Sequence, residues 1–337
     1  MILIDAVYIN TGGGKALLME LLTELRHAPR LALLLDARLE GLDTSGYETF
    51  VVEPGEMSRL IFYKEKRHEL ERVLCFGNVP PPCRLSAEVA VYFHNILLCA
   101  PVAAIGLRKR WLSALKMAYI RLMSRNADFF MVQSPAVKHA LGHRLPGTAT
   151  IMELPFYPVR PINFAGASNL SGRWNRYAYV SNGYAHKNHA ILLEAWQNLA
   201  RHGFYPELHL TVTDDYPRLR SKIETARGSG CQIVNHGYTD VSKLYRDCGY
   251  QIYPSFAESF GLGLVEAAES GCAILASDLQ YVQQVVRPYA TFDPCSSAEI
   301  EALVIATHGK PAIPSEVLVK SQLPRLGAWI KSGKPLK

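Results

Sequence analysis

The amino-acid sequence predicts an α/β chain built as two doubly wound, parallel-sheet domains. Three observations predict it. At 337 residues the chain is long for one core and sufficient for two domains of about 150 residues each. Apolar strands alternate with helical stretches, the pattern of a parallel sheet with right-handed crossovers. The alternation breaks around residues 145–166, where Pro146, Pro155, Pro158 and Pro161 interrupt it, and then restarts.

In the first half, Met1–Ile9 reads as a strand and runs into the glycine loop Asn10–Lys15. An amphipathic helix, Ala16–Arg26, follows. Leu31–Leu35 and Thr49–Val52 read as strands, Met57–Leu70 as a helix, and Arg72–Phe76 and Val89–Phe93 as strands. Leu107–Ser124 then reads as a helix and Phe129–Gln133 as a strand. After the proline-rich stretch, read as a linker, come strands at Tyr177–Val180, Glu207–Thr213, Ile233–Asn235, Tyr250–Tyr253 and Cys272–Ala276. Helices between and after them are predicted at His189–Leu199, Val241–Arg246, Leu262–Ser270 and Ser297–Thr307. The division is residues 1–155, residues 156–320, and a C-terminal segment, 321–337, read as returning to the first domain.

Composition narrows the class. Apolar residues make up 49% of the chain, which is the balance of an ordered globular protein. Seven cysteines, an odd number with no C-x-x-C pair, and an opening strand in place of a secretory leader fit a reduced, cytoplasmic setting. No ligand spacing for zinc is present. The net charge of +6 is concentrated: between Glu88 and Asp128 there is no acidic residue, while Arg108, Lys109, Arg110, Lys116, Arg121 and Arg125 fall there. Nucleic acid and anionic lipid both suit such a block. Val89–Leu107 is uncharged for nineteen positions, but His94, Asn95 and Pro101 argue against a membrane span and for a buried strand followed by a loop.

The sharpest local signal is Tyr253-Pro-Ser-Phe-Ala-Glu-Ser-Phe-Gly-Leu-Gly-Leu-Val-Glu266. A strand gives way to a small-residue loop, and a helix opens at about Gly261. In open parallel sheets ligands bind beyond the carboxyl ends of strands, where such loops lie. Gly261 and Gly263 would let a ligand approach the backbone, and the first helical N–H groups favour a phosphate oxygen. Glu258 and Glu266 can each accept two hydrogen bonds, which suits vicinal sugar hydroxyls. Taken alone, the pair reads more readily as an acidic loop cap and a solvated helix residue.

With its flanks, this segment resembles the E-x7-E signature of glycosyltransferase family 4, of the bacterial surface-polysaccharide type. The match covers about thirty-five residues, with loop, helix, glycine stop and next strand in order. The resemblance implies a GT-B architecture, two Rossmann-like domains facing a cleft, and a retaining, metal-independent hexosyltransferase using a nucleotide diphosphate sugar. It implies that Glu258 contacts the donor sugar and Glu266 the ribose. Backbone amides around Ser259, Phe260, Gly261 and Leu262 would hold sugar or diphosphate oxygens.

A second element agrees. Lys187 falls between a strand and a helix in Ser181-Asn-Gly-Tyr-Ala-His-Lys-Asn-His189, where an ammonium can neutralise a leaving diphosphate. Many similar enzymes carry an arginine after the glycine of this segment; here Tyr184 stands there. Thr11-Gly-Gly-Gly-Lys15 is not a Walker A loop. By the resemblance Gly12 and Gly13 face the donor phosphates; a plain tight turn is the other reading. His94 is a catalytic candidate or a structural histidine. Asp214-Asp215 reads as a solvated turn rather than a metal site, and Asn235-His-Gly237 as a candidate base pocket.

The stretch Leu107–Arg125 places Trp111, Leu115, Ala118 and Leu122 on one stripe, widened by Leu112 and Tyr119. It reads either as an interfacial helix on an anionic membrane or as a helix packed on its own sheet. By analogy with similar bacterial proteins the acceptor is a saccharide on an undecaprenyl diphosphate carrier, in lipopolysaccharide O-antigen or capsule assembly at the inner face of the plasma membrane. No nucleic acid partner and no cofactor are expected. A GT-B epimerase and a non-catalytic sugar-nucleotide-binding module remain as alternatives.

Overall fold

Strands buried on both faces read as unbroken apolar runs. That is how Ile2–Ala6 behaves in the computed structural model, which describes residues 1–26, 28–158 and 172–336. Two units are present. Met1–Pro101, Gly106–Val159 and Lys320–Lys337 make the first, and Val102–Ile105 and Arg160–Val319 the second.

In the first unit the strands are β1 (Ile2–Ala6), β2 (Leu31–Asp36), β3 (Glu48–Val52), β4 (Arg72–Cys75), β5 (Glu88–Phe93), β6 (Phe129–Val132) and β7 (Ile151–Glu153). The helices are α1 (Gly12–Glu24), α2 (Glu56–Lys66), α3 (Ile96–Cys99), α4 (Leu107–Met123) and α5 (Pro135–Gly142). All strand pairs are parallel, in the order β3-β2-β1-β4-β5-β6-β7. One core gathers Ile4, Leu18, Leu21, Leu33 and Tyr92 with Leu326, Trp329 and Ile330 of the C-terminal helix Leu323–Ser332. Each fully buried leucine there stabilises the unit by roughly 1.5–3 kcal/mol. Asp5 is the charged exception in β1. Arg59 at 2.7 Å and the Tyr63 hydroxyl at 2.7 Å satisfy it.

In the second unit the elements are β8 (Arg176–Tyr179), α6 (His189–Arg201), β9 (Glu207–Leu210), α7 (Pro217–Gly228), β10 (Ile233–Asn235), α8 (Val241–Asp247), β11 (Tyr250–Tyr253), α9 (Leu262–Glu269), β12 (Ala273–Ser277), α10 (Gln280–Val285), β13 (Val286–Arg287), β14 (Ala290–Phe292), α11 (Ser297–Thr307) and β15 (Glu316–Val317). Its six-stranded sheet is parallel, in the order β10-β9-β8-β11-β12-β14; β13 and β15 form a separate antiparallel pair. The first strand lies beside the fourth, so the winding reverses between β8 and β11, and that is where a doubly wound sheet binds its ligand. The C-terminal helix Leu323–Ser332 is α12.

Several expectations change. The glycines at 12–14 form the first turn of α1, which therefore starts four residues before Ala16. β7 turns part of the supposed linker into a sheet strand, while Pro161 lies outside the described residues. The strand expected at Glu207–Thr213 stops at Leu210, and the loop after β5 contains the short helix α3. Cys295 is exposed, Cys83 half-buried, and the other five cysteines are buried. Among the described residues no helix is long and apolar enough to cross a membrane.

α4 settles which side of its stripe faces outward. It packs through Met117 and Ile120. Leu107, Trp111, Leu115 and Leu122 stay 80%, 71%, 52% and 58% exposed, so the apolar stripe is not the packed face. Tyr119 points the other way and donates to Glu56 Oε2 at 2.7 Å.

Candidate functional site

Two loops leave the winding reversal of the second unit side by side, one from β8 to α6 and one from β11 to α9. They are tied together through the backbone. Phe256 N donates to His186 O at 2.8 Å. Asn188 adopts a left-handed conformation, φ 58°, and its amide donates to Pro254 O at 3.2 Å and Pro294 O at 2.8 Å. An Asn tolerates that conformation better than most residues. The turn therefore delivers Lys187 at a set height above the sheet.

Lys187 and Glu258, the first two residues of the expected catalytic set, meet there. Lys187 Nζ lies 2.6 Å from Glu258 Oε1, with the two side chains 14% and 11% exposed. The same oxygen accepts from the Tyr253 hydroxyl at 3.1 Å. The Tyr179 hydroxyl donates to Lys187 O at 2.8 Å and lies 2.8 Å from Ser255 Oγ, while the Tyr281 hydroxyl donates to Ser255 O at 2.9 Å. Burial and the negative Glu258 raise the pKa of Tyr253 well above its ordinary value, so the phenol remains a donor. His189, the first residue of α6, is held neutral: burial, with Lys187 and His186 nearby, lowers its pKa to about 3.

The helix expected to open at about Gly261 begins at Leu262. Gly261 is the N-cap of α9 at φ 85°, a conformation glycine adopts without strain. Gly263 serves packing instead, since a Cβ there would meet the Tyr253 ring at 3.3 Å and Val180 O at 3.6 Å. Ser259, Leu262 and Glu266 are half-buried on this loop and helix. Phe260 is buried, so only its backbone can serve a ligand.

Beside this loop pair, a pocket of about 600 Å³ is lined by Tyr184, His189, Tyr216, Arg218 and Lys222 among others. Tyr184 stacks on His186 and meets Tyr216 edge-on, so the departure from the family pattern places an aromatic cluster where a cation was expected. Asp214 pairs with Arg220, and Asp215 accepts from Thr213 Oγ1 at 2.9 Å, as in a solvated turn. Among the described residues no group of three His, Cys, Asp or Glu side chains is placed to hold a metal ion. The Asn235 amide is spent on both backbone groups of Val212, and His236 lies 3.0 Å from His209, which weighs against a base pocket built from those side chains.

The first unit brings Gly12–Gly14 and His94 to the carboxyl ends of its own central strands. A Cβ on Gly12 or Gly13 would meet nothing within 4 Å, whereas one on Gly14 would lie 3.3 Å from His94 Cε1. His94 Nε2 lies 2.9 Å from Phe76 O and its backbone N 2.7 Å from Asn78 Oδ1. Burial lowers its pKa below the usual histidine value. Donation from Nε2 to the carbonyl makes Nδ1 the acceptor of the neutral ring. Lys15 is turned away, donating to Glu40 O at 2.6 Å.

Tyr179, Tyr253 and Asn188 escaped the sequence reading. The two tyrosines are the last residues of the adjacent strands β8 and β11, and their rings meet edge-on at 5.4 Å.

The chain is similar to several known proteins. A relative from Streptococcus gordonii, the GtfA subunit of UDP-N-acetylglucosamine--peptide N-acetylglucosaminyltransferase, is 29% identical over 201 residues. The match takes in 53% of this chain, which spans only 36% of that protein's length. Among solved structures, HepE of Anabaena in complex with UDP superposes with a TM-score of 0.68 at 16% identity, over 98% of this chain and 96% of the other. WaaG, described as a glycosyltransferase involved in lipopolysaccharide biosynthesis, gives 0.66 at 15% identity, over 98% and 94%. The architecture is therefore GT-B, and residues 165–307, which contain Lys187, Glu258 and Glu266, match the family of glycosyl transferases group 1.

Proposed function

We propose that this chain is a retaining glycosyltransferase. It moves a hexosyl group from a nucleoside diphosphate sugar to a saccharide hydroxyl, with the carrier-linked chains of surface-polysaccharide assembly as acceptor. The observation that carries the proposal is the Lys187–Glu258 pair beside the Gly261 helix start, at the point where the winding of the sheet reverses. One partner is a cation for a diphosphate, the other a carboxylate for sugar hydroxyls, and the helix N-terminus adds donors for phosphate oxygens.

In the reaction the bond from the anomeric carbon to the diphosphate oxygen breaks. The bond to the acceptor oxygen forms on the same face, and the acceptor proton passes to the departing diphosphate. Lys187 and the α9 N-terminus stabilise the charge that develops on that diphosphate. Glu258 orients the sugar, Glu266 anchors the ribose, Ser259–Leu262 supply backbone donors, and Gly12 and Gly13 approach the phosphates. His94, neutral and offering Nδ1, accepts from a substrate hydroxyl.

A uridine nucleotide is the favoured donor class because HepE binds UDP. An undecaprenyl diphosphate carrier and an O-antigen or capsule acceptor follow by analogy, the WaaG likeness pointing the same way. Docking of the α4 stripe, with its six flanking cations, on an anionic membrane fits a lipid-linked acceptor.

Donor hydrolysis and transfer against a panel of UDP-, GDP- and dTDP-sugars tests the proposal. The wild type consumes one of them, and Glu258→Ala abolishes turnover while remaining folded. Wild-type turnover in Glu258→Ala removes Glu258 from the chemistry. Conversion of donor to an epimer without acceptor, or binding without turnover, would replace transfer with one of those activities.

A further inference from the structure

We propose that Tyr253 is the positioning residue of this site, its hydroxyl holding the Glu258 carboxylate in place while Lys187 changes partner. The inference rests on the sugar-nucleotide reading above.

Among the described residues, both polar contacts to Glu258 fall on Oε1: Lys187 Nζ at 2.6 Å and the Tyr253 hydroxyl at 3.1 Å. The two donors differ in mobility. Lys187 reaches Glu258 on a flexible four-carbon stem. Tyr253 is 2% exposed, lies edge-on to the Tyr179 ring at 5.4 Å and 77°, and has Gly263 close beneath it, so its hydroxyl cannot follow a moving partner.

A diphosphate competes with Glu258 for the Lys187 ammonium. When Lys187 turns to the phosphates, Glu258 loses its charged neighbour in a place only 11% open to water. A carboxylate left there without a donor would reorient. The Tyr253 hydroxyl prevents that, and the rigid ring fixes where Glu258 points as the sugar arrives. Tyr179, through its bond to Lys187 O, holds the base of the lysine while its head moves.

Deleting the Tyr253 hydroxyl should therefore weaken recognition of the sugar and leave recognition of the nucleotide alone. The test titrates wild type, Tyr253→Phe, Glu258→Ala and the double variant with UDP, UDP-glucose, GDP and GDP-mannose. Tyr245→Phe, which removes a hydroxyl from the same wall at 3.4 Å from Gly263 O, serves as folding control.

Tyr253→Phe should lose about tenfold for the sugar nucleotide relative to its parent nucleotide, the weight of one hydrogen bond to a charged group. The same change should have no further effect in the Glu258→Ala background, and every variant should still unfold in one cooperative transition above the titration temperature. Equal loss for nucleotide and sugar nucleotide, or a tenfold loss that persists without Glu258, would overturn the role of Tyr253 while leaving the transferase reading intact. Failure of the wild type to bind any of the four ligands would overturn both.

Discussion

Replacing Glu258 by glutamine keeps the shape of the side chain and removes the charge that engages Lys187. At an effective dielectric of about 20, unit charges this close attract by roughly 6 kcal/mol before the cost of drying them is subtracted. A net value of about 1.5 kcal/mol is reasonable for a charge-assisted bond at a largely buried site. A diphosphate must overcome that pairing to recruit Lys187. In Glu258→Gln the competition is gone, so UDP should bind roughly tenfold more tightly even though transfer collapses. Lys187→Met should move UDP affinity the other way. Calorimetric titration of the three proteins with UDP reads both signs directly. Unchanged or weaker UDP binding by a folded Glu258→Gln protein would show that the pair is structural and that diphosphate does not draw on Lys187.

Three other outcomes are open to measurement. His189 is neutral in the fold, with a pKa near 3, and protonates in the unfolded chain below about 6.5; its contribution is complete above 6.5 and declines as pH falls toward 3. At pH 5 the loss is about 2 kcal/mol, so His189→Gln should flatten the fall in melting temperature between pH 7 and pH 5. Gln251 is fully buried in β11 with neither amide atom hydrogen-bonded among the described residues, and Gln251→Met should raise stability by about 2 kcal/mol, roughly 4–8 °C, by differential scanning calorimetry. Trp111→Ser with Leu115→Ser should abolish co-sedimentation with anionic vesicles at unchanged melting temperature, because both side chains lie outside the core; a wild type that stays in the supernatant refutes membrane docking.

How much of this was legible depends on what each residue is doing. Parallel strands announce themselves because both faces are buried, and Tyr250–Tyr253 and Ile233–Asn235 were located to the residue. α11 was as clear, bounded by the Ser296 cap whose hydroxyl accepts from Glu299 N. α7 was invisible, since only Ile223 and Ala226 of its twelve residues are buried and no apolar stripe marks it. The start of α1 was hidden by three glycines, which favour loops unless the sheet behind them supports a helix.

At the site, Lys187 and Glu258 were legible by motif. Their supports were not, because a tyrosine that ends a strand looks like any other core aromatic until the neighbouring strand is placed beside it. Gly263 was misread for a related reason: a glycine wanted by a ring looks the same in sequence as one wanted by a ligand.

α12 closes the core of the first unit from the far end of the chain. Leu326, Trp329 and Ile330 are almost fully buried among residues translated some three hundred positions earlier. During synthesis the opening sheet and α1 therefore emerge without α12 to complete their core, while the whole second unit is still being made. A nonsense change as late as codon 322 would leave that apolar surface bare for good, and would mark the product for aggregation or degradation although every residue of the candidate site had been translated.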